Sequence, residues 1–357
     1  PPGGMVHRSG AKPGDRVVVT GTIGDAALGL DVLRGGPVAT AVAGDAAARE
    51  ALVGRYRVPQ PRNARSLLAW SATGEGRFAL PPGPHRVVIS HGPEWDIYDA
   101  SQTIAAGKDV TVAADLLHSV DSTGVMCADF HIHSYYSADS SDPVPLKVTS
   151  AVADGLDIPV SSEHEWIIDF QPVVRDLGLA GWAFGMSSQE LTTFSWGHFG
   201  VVPINARPDQ VNRGAIPWLG KRPAEVFHDV HAQPESPVLI VNHPRSASIG
   251  GYFSAADFQR TTLTGDPELW SDDFDAVEAF NDSDFDENRT KIVPDWFALL
   301  NSGKKIWAVG SSDSHGLRTS PTGYPRTCLQ FGHDDPTKLS AEAVRDALRA
   351  GKATISG

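Results

Sequence analysis

The spacing of apolar residues changes character near residue 120. From Asp15 to Leu117 the short apolar runs "RVVVTGTI", "PVATAVAG", "SLLAWSATG", "GRFALPPG", "PHRVVISHG", "YDASQTIAAG" and "DVTVAADLL" are separated by Gly, Pro and Asp. Short runs punctuated by turn formers predict a small all-β, sandwich-like domain over 15–120. A flexible Pro- and Gly-rich segment, 1–14, precedes it. Over 121–357 helical and strand spacing alternate instead. "VTSAVADGLD", "PAEVFHDVHAQ", "PDWFALLNSGK" and "SAEAVRDALRAG" read as helices, and "IPVSSEHE", "PVLIVNHP", "FDAVEAFN", "KIWAVGSSDSH" and "KATIS" as strands. That order predicts an α/β domain with a parallel sheet, closed as a barrel at this length.

In such folds the chemistry gathers at the carboxyl edge of the strands. His131 and His133 close the first strand of this domain, and Glu163, His164 and Glu165 the second. Glu190 ends "FGMSSQE", His198 opens "GHFGVVPI", Asn242 and His243 end "LIVNHPR", and Asp313 and His315 end "AVGSSDSH". Residues i and i+2 of a strand share a face, about 6.5–7 Å apart. Where the strand curls into a barrel mouth, His131 and His133 can therefore converge on one ion, with metal–nitrogen distances of about 2.1 Å. The Ser/Asp-rich turn after them lets Asp139 fold back to the same mouth. One His-x-His arises by accident; five strand ends with the same chemistry predict a multinuclear metal centre. Such a centre makes hydroxide from water and polarises a carbonyl or phosphoryl oxygen. The sequence has no GxSxG elbow, Gly-rich phosphate loop or dinucleotide fingerprint.

Composition narrows the partners. The formal net charge of −13 argues against a nucleic-acid or anionic-membrane surface and leaves room for bound cations. No apolar run is long enough to span a membrane, and "PPGGMVHRSGAKPGD" lacks the apolar core of a signal peptide. Cys127 and Cys328 make no disulfide framework and read as two small buried residues. Asp282, Asp284 and Asp286 alternate, but Glu287 stands where a calcium loop needs glycine, so this stretch reads as an acidic loop. His228 and His231 read as helix-surface residues, and Tyr136 and Trp166 as packing or pocket-wall aromatics.

The motifs "DFHIHS" (129–134), "SSEHE" (161–165), "SSQELTT" leading to "GHFGVVPI" (187–204), "VNHPR" (241–245), "VGSSDSHG" (309–316) and "GYPRT" (323–327) follow in this order. From Cys127 to Gly357 the chain thereby resembles the PHP (polymerase and histidinol phosphatase) superfamily, and within it the carbaryl-hydrolase-like (CehA/McbA-like) metallohydrolases. The resemblance implies a distorted (β/α)7 barrel with two or three divalent ions, Zn, Mn or Fe, at its mouth. His131 and His133 would hold the first ion, Glu190 would bridge the first and second, and His198 and His243 would complete the second. Asp139, His164 and His315 would hold a third, and Asp313 would bind the first and help move a proton. Asp139 stands where some relatives carry histidine, and an oxygen ligand there either weakens the third site or favours a harder ion such as Mn²⁺ or Fe²⁺. Arg245 and Arg326 are candidates for gripping an anionic or developing-anion group. The hairpin "GRFALPPGPHRVVISHG" is similar to one of a carboxypeptidase-regulatory-like or immunoglobulin-like module.

The expected activity is metal-dependent hydrolysis of an ester, amide or carbamate bond in a small molecule. Phosphoester cleavage on the same centre is the alternative. A non-catalytic binding protein, or a β domain that binds polysaccharide or protein, are further readings; Trp70 and Trp95 are too few to make the aromatic row the latter calls for. A β module ahead of the barrel and the Ala-, Arg- and Gly-rich composition suit a bacterial exported protein, periplasmic or secreted. "KATISG" stops in a strand just begun, so the natural chain is expected to run past Gly357.

Overall fold

The computed structural model describes residues 32, 36–46, 48–49, 67–246, 251–281 and 285–356. The chain divides into two compact units, 1–68 and 69–357. In the first unit "PVATAVAG", expected as a strand, instead opens with a short helix, α1 (Pro37–Ala41). Proline suits the first helical turn, where its missing N–H would have no partner in any case. "RVVVTGTI" and Asp282–Asp284 lie outside the described residues.

The second unit starts with an antiparallel hairpin, β1 (Gly83–Ile89) and β2 (Tyr98–Ile104). Among the described residues, this pair is all that stands for the expected sandwich. The described part of "SLLAWSATG" and all of "DVTVAADLL" form no strand. The hairpin is followed by a segment that rests directly on the rest of the unit. A Cβ on Gly92 (φ +81°) would come within 2.1 Å of the Asp154 carbonyl oxygen, so only glycine permits this approach.

The remaining strands make one ten-stranded sheet. They are β3 (Val125–Ile132), β4 (Ile158–His164), β5 (Ile168–Asp169), β6 (Met186–Thr192), β7 (His198–Val202), β8 (Val238–Asn242), β9 (Ala276–Asn281), β10 (Trp307–Ser311), β11 (Arg326–Gln330) and β12 (Ala353–Ser356). Their order is β10-β9-β8-β7-β6-β4-β3-β11-β12, with β5 on β6. Between them run α2 (Val144–Ala153), α3 (Gln171–Asp176), α4 (Pro223–His231), α5 (Tyr252–Ala255), α6 (Val293–Asn301) and α7 (Ala341–Arg349). β3–β4–β6 and β8–β9–β10 pair in parallel. β7 is antiparallel to β6 and β8, and β11 to β3 and β12. The sheet is therefore mixed, which corrects the wholly parallel expectation. Thr193–Gly197, which joins β6 to β7, is too short for a crossover helix, so β7 must turn back.

The sheet curls until its ends meet. Ile132 of β3 bridges Ser314, just past β10. Thr327 of β11 exchanges two 2.9 Å hydrogen bonds with Gly310: its Oγ1 accepts from the backbone N–H and donates to the carbonyl. The result is a nearly closed barrel. Its interior is filled by Met126, Ala128, Phe130, Ile158, Val160, Met186, Val202, Val238, Ile240 and Val309, with α7 adding Val344 and Leu348. A second core packs β7, β8 and β9 against α4 and α6, and a third packs β3 against α2. Ser340 Oγ accepts from Ala343 N at 3.2 Å and so caps α7.

Cys127 and Cys328 correct the sequence reading. They are buried, as expected, but they face each other across β3 and β11 and form a disulfide.

Candidate metal centre

The barrel's interior rows place the chemistry. Inward-facing residues alternate along a strand, and each row is apolar low in the barrel and polar at one rim. On β4 the row is Ile158, Val160, Ser162, His164; on β6 it is Met186, Ser188, Glu190; on β8 it is Val238, Ile240, Asn242. β7 runs the other way, so His198, at its start, reaches the same rim with Val202 below. β3 departs from alternation. Its pairing with β4 slips between Asp129 and Ile132, and Ile132 joins Cys127 in the outer core. That bulge turns His131 and His133 inward.

Glu190 lies at the centre of the cluster. Its Oε1 is 3.0 Å from His131 Nε2, 3.3 Å from His198 Nδ1 and 3.2 Å from His243 Nε2. Its Oε2 is 2.8 Å from His164 Nδ1 and 3.6 Å from His133 Nε2. Asp313 Oδ1 stands 3.2 and 3.3 Å from Nε2 of His131 and His133. Asp139 Oδ2 is 3.2 Å from Nε2 of both His164 and His315. All nine sequence-predicted ligands thus come together. Seven of them also fall into three tight groups, His131–His133–Asp313, His131–Glu190–His243 and His133–His164–His315, each with its donor atoms within 4.8 Å of one another; Asp139 and His198 stand at the edge of these groups.

A second layer aims these groups. Glu278 of β9, which the sequence motifs do not single out, has Oε1 2.9 Å from His131 Nδ1, and its Oε2 accepts from His243 N at 2.7 Å. His133 Nδ1 is 2.9 Å from Ser137 Oγ, which donates to Glu163 Oε2 at 2.6 Å. With Nδ1 engaged in this way, the His131 and His133 rings turn Nε2 into the cluster. Among the described residues no hydrogen bond reaches His131 Nε2, His133 Nε2 or Asp313 Oδ1, although all three atoms are buried. Orphaned buried donors and acceptors call for a partner, and this nitrogen and oxygen set is one that divalent ions such as Zn²⁺, Mn²⁺ or Fe²⁺ accept.

Electrostatics agree with the geometry. Burial opposes charge on His131, but Asp313, Glu190 and Glu278 outweigh it and hold the imidazole well above its ordinary range. His164 is also raised, to about 9: burial opposes the shift, and Glu190 and Asp139 overcome it. Burial drives His133 the other way, to about 3. Glu190 and Asp313 sit well below the usual carboxylate range, because His131 and its neighbours outweigh the cost of burying them. Glu165, His243 and Asp313 have φ of +50°, +27° and +51°, strained backbone of the kind that gathers at functional sites.

A cavity of about 380 Å³ opens over the cluster, walled in addition by Ala138, Glu165, Thr192 and Phe194. Phe194 is 91% exposed and meets Trp218 edge to face at 5.2 Å. Glu165 accepts from Thr192 N at 2.7 Å, and burial pushes its carboxyl up to about 7.

The two arginines do not line this cavity, which corrects their expected role. Arg245 Nε donates to Asp295 Oδ2 at 2.7 Å, and its other nitrogens donate to the Phe253 and Phe258 carbonyls. It borders a separate cavity of about 360 Å³ with Arg260 and Lys291. Arg326 is wholly buried, and its donors go to the carbonyls of Gly323, Gly155 and Asp154. Both brace loops. Tyr136 is exposed beside Tyr135, and Trp166 packs on the outer core. His231 lies 3.2 Å from Asp275 Oδ2, away from the cluster.

No family model matches the chain, and no curated protein matches it. Among solved structures, the chain is similar to a two-domain protein from Bacteroides vulgatus described as containing a predicted PHP-like metal-dependent phosphoesterase. The identity is 18%, the match covers 66% of this chain and 66% of that one, and the TM-score is 0.44.

Proposed function

We propose that the chain is a metal-dependent hydrolase holding two or three divalent ions, and that it cleaves an ester, amide or carbamate bond of a small molecule. The observation that carries this reading is the convergence of six imidazoles on Glu190, Asp313 and Asp139, with buried nitrogens left without hydrogen bonds. Bound ions would lower the pKa of water towards neutrality and polarise the scissile carbonyl. His131, His133 and Asp313 would hold one ion, Glu190, His198 and His243 a second, and His164, His315 and Asp139 a third. Glu190 keeps its charge under all conditions near neutrality and fixes the spacing of the imidazoles around it. Glu165, poised at about 7 on the cavity wall, is able to give or take a proton at the leaving group.

The walls favour a carbon-centred bond over a phosphate ester. Among the described residues lining the cavity there is no Lys or Arg, while Glu165, Asp139 and the exposed Phe194 are present. Beyond the ions themselves, these walls offer no guanidinium or ammonium to share the charge of a phosphate dianion, which supports the carbon-centred reading. The Cys127–Cys328 disulfide supports an exported protein, because such bonds persist in oxidising compartments.

The test is metal analysis of protein purified without chelator, followed by matched nitrophenyl esters, carbamates and phosphates. Roughly two or three equivalents of metal, lost in Glu190→Ala, and a kcat/KM for acyl substrates at least about tenfold above that for phosphates are expected. A phosphate preference would transfer the reading to a phosphoesterase. Less than about one equivalent, with no hydrolysis after adding Zn²⁺, Mn²⁺ or Fe²⁺, would sink it.

A further inference from the structure

Lys147, on α2, has no exposed surface. An ammonium taken out of water costs several kcal/mol unless it is paired, so its partners reveal its use. Nζ donates to both the carbonyl oxygen and the hydroxyl oxygen of Ser314, each at 2.9 Å. It also lies 3.6 Å from Asp142 Oδ2. Ser314 is the residue between Asp313 and His315. Its carbonyl accepts a second hydrogen bond, from His133 N at 3.1 Å, and its own N–H donates to the His131 carbonyl at 3.3 Å.

Four candidate ligands therefore meet at one residue. Through Ser314 the strand carrying His131 and His133 is tied to the loop carrying Asp313 and His315. The anchors around that loop are also polar. Leu317 N donates to Asp142 Oδ2 at 2.8 Å, and Ser140 Oγ donates to the His315 carbonyl at 2.6 Å. Asp313 meanwhile holds a φ of +51°, a conformation that relaxes unless its surroundings enforce it.

We propose that Lys147 is a positioning residue of the metal centre: a buried cation that fixes Ser314 and so sets the separation between His131 and His133 on one side and Asp313 and His315 on the other. This rests on the metal-dependent reading above. Lysine suits the place because one ammonium supplies three donors: two meet Ser314 and the third points towards Asp142. Lys147 does not line the cavity, so its effect reaches the centre through Ser314 and the carboxylates around it and not by contact with a substrate.

Lys147→Met keeps the length of the side chain and removes its charge and donors. The protein is stripped of metal, then reloaded with Co²⁺ against a competing chelator. Affinity, equivalents per chain, the visible Co²⁺ spectrum and the circular dichroism of the metal-free form are read together. The expected result is a native metal-free dichroism spectrum, affinity weaker by about 10–100-fold for at least one ion, and a changed Co²⁺ spectrum. Ser314→Ala removes one of the two acceptors and should move the same readouts less. Wild-type affinity and spectrum in Lys147→Met would overturn the proposal. If that variant does not fold, unchanged affinity in Ser314→Ala would do so. Wild-type protein that binds Co²⁺ as expected yet hydrolyses nothing would refute the hydrolase reading and leave the role of Lys147 standing; wild-type protein that binds none would remove both.

Discussion

Glu278 grips two imidazole-bearing residues from behind, His131 through its ring Nδ1 and His243 through its backbone N–H. Replacing the carboxylate by an amide presents an NH₂ group where an acceptor stood and removes the charge facing His131. Glu278→Gln should weaken metal binding by about 10–100-fold with little change in fold, as read by chelator competition; unchanged affinity would show that Glu278 does not orient the ligands. Most of the nine candidate ligands were legible because histidines and carboxylates stood at strand ends, and Asp139 because the Ser/Asp-rich turn after His133 could fold back to them. Glu278 carried a quieter signal, a carboxylate in the middle of the apolar run "AVEAF", where a charge has to be paired. Arg245 misled for a related reason. A guanidinium beside a His motif suits an anion, but the carboxylate it meets is the buried Asp295 of α6, which is distant in sequence and shared with Arg260 at 2.9 Å.

At the scale of elements, the β/α alternation was readable from Gly124 onwards because period-3.6 and period-2 patterns differ plainly. The reversal at β7 was not, since antiparallel and buried parallel strands share the same apolar run. The disulfide stayed hidden for that reason too: Cys127 meets Cys328 only once β11 returns antiparallel to β3. The bond spans 201 residues of sequence. By loop-closure entropy, losing so long a crosslink should cost about 3–5 kcal/mol. We expect Cys127→Ser/Cys328→Ser to lower the denaturation midpoint accordingly. A loss below about 1 kcal/mol would mean that the hydrogen-bonded ladder alone holds β11 in place.

For the whole molecule, protons and metal compete for one cluster. In the metal-free protein His131 and His164 are raised, so their contribution to stability is complete below the ordinary 6.5 and fades as pH climbs, through about 9 for His164. His133 is lowered, so its contribution fades as pH falls from 6.5 to about 3, and Glu190 and Asp313 lose theirs at still more acidic pH. Metal-free protein should therefore melt highest near pH 6.5. Metal requires the imidazoles to be neutral, so loaded protein should gain on the metal-free form as pH rises from 6.5 to 9. Parallel melting curves with and without chelator across that range would contradict this. The closure of the barrel at Ile132 and Ser314 also has a meaning in time. His131 leaves the ribosome roughly 180 residues before His315, which at about 5–20 residues per second is on the order of 10–40 seconds. During that interval the cluster grows residue by residue, and an ion that came early would find a site still lacking Asp313 and His315, which only the segment after β10 supplies.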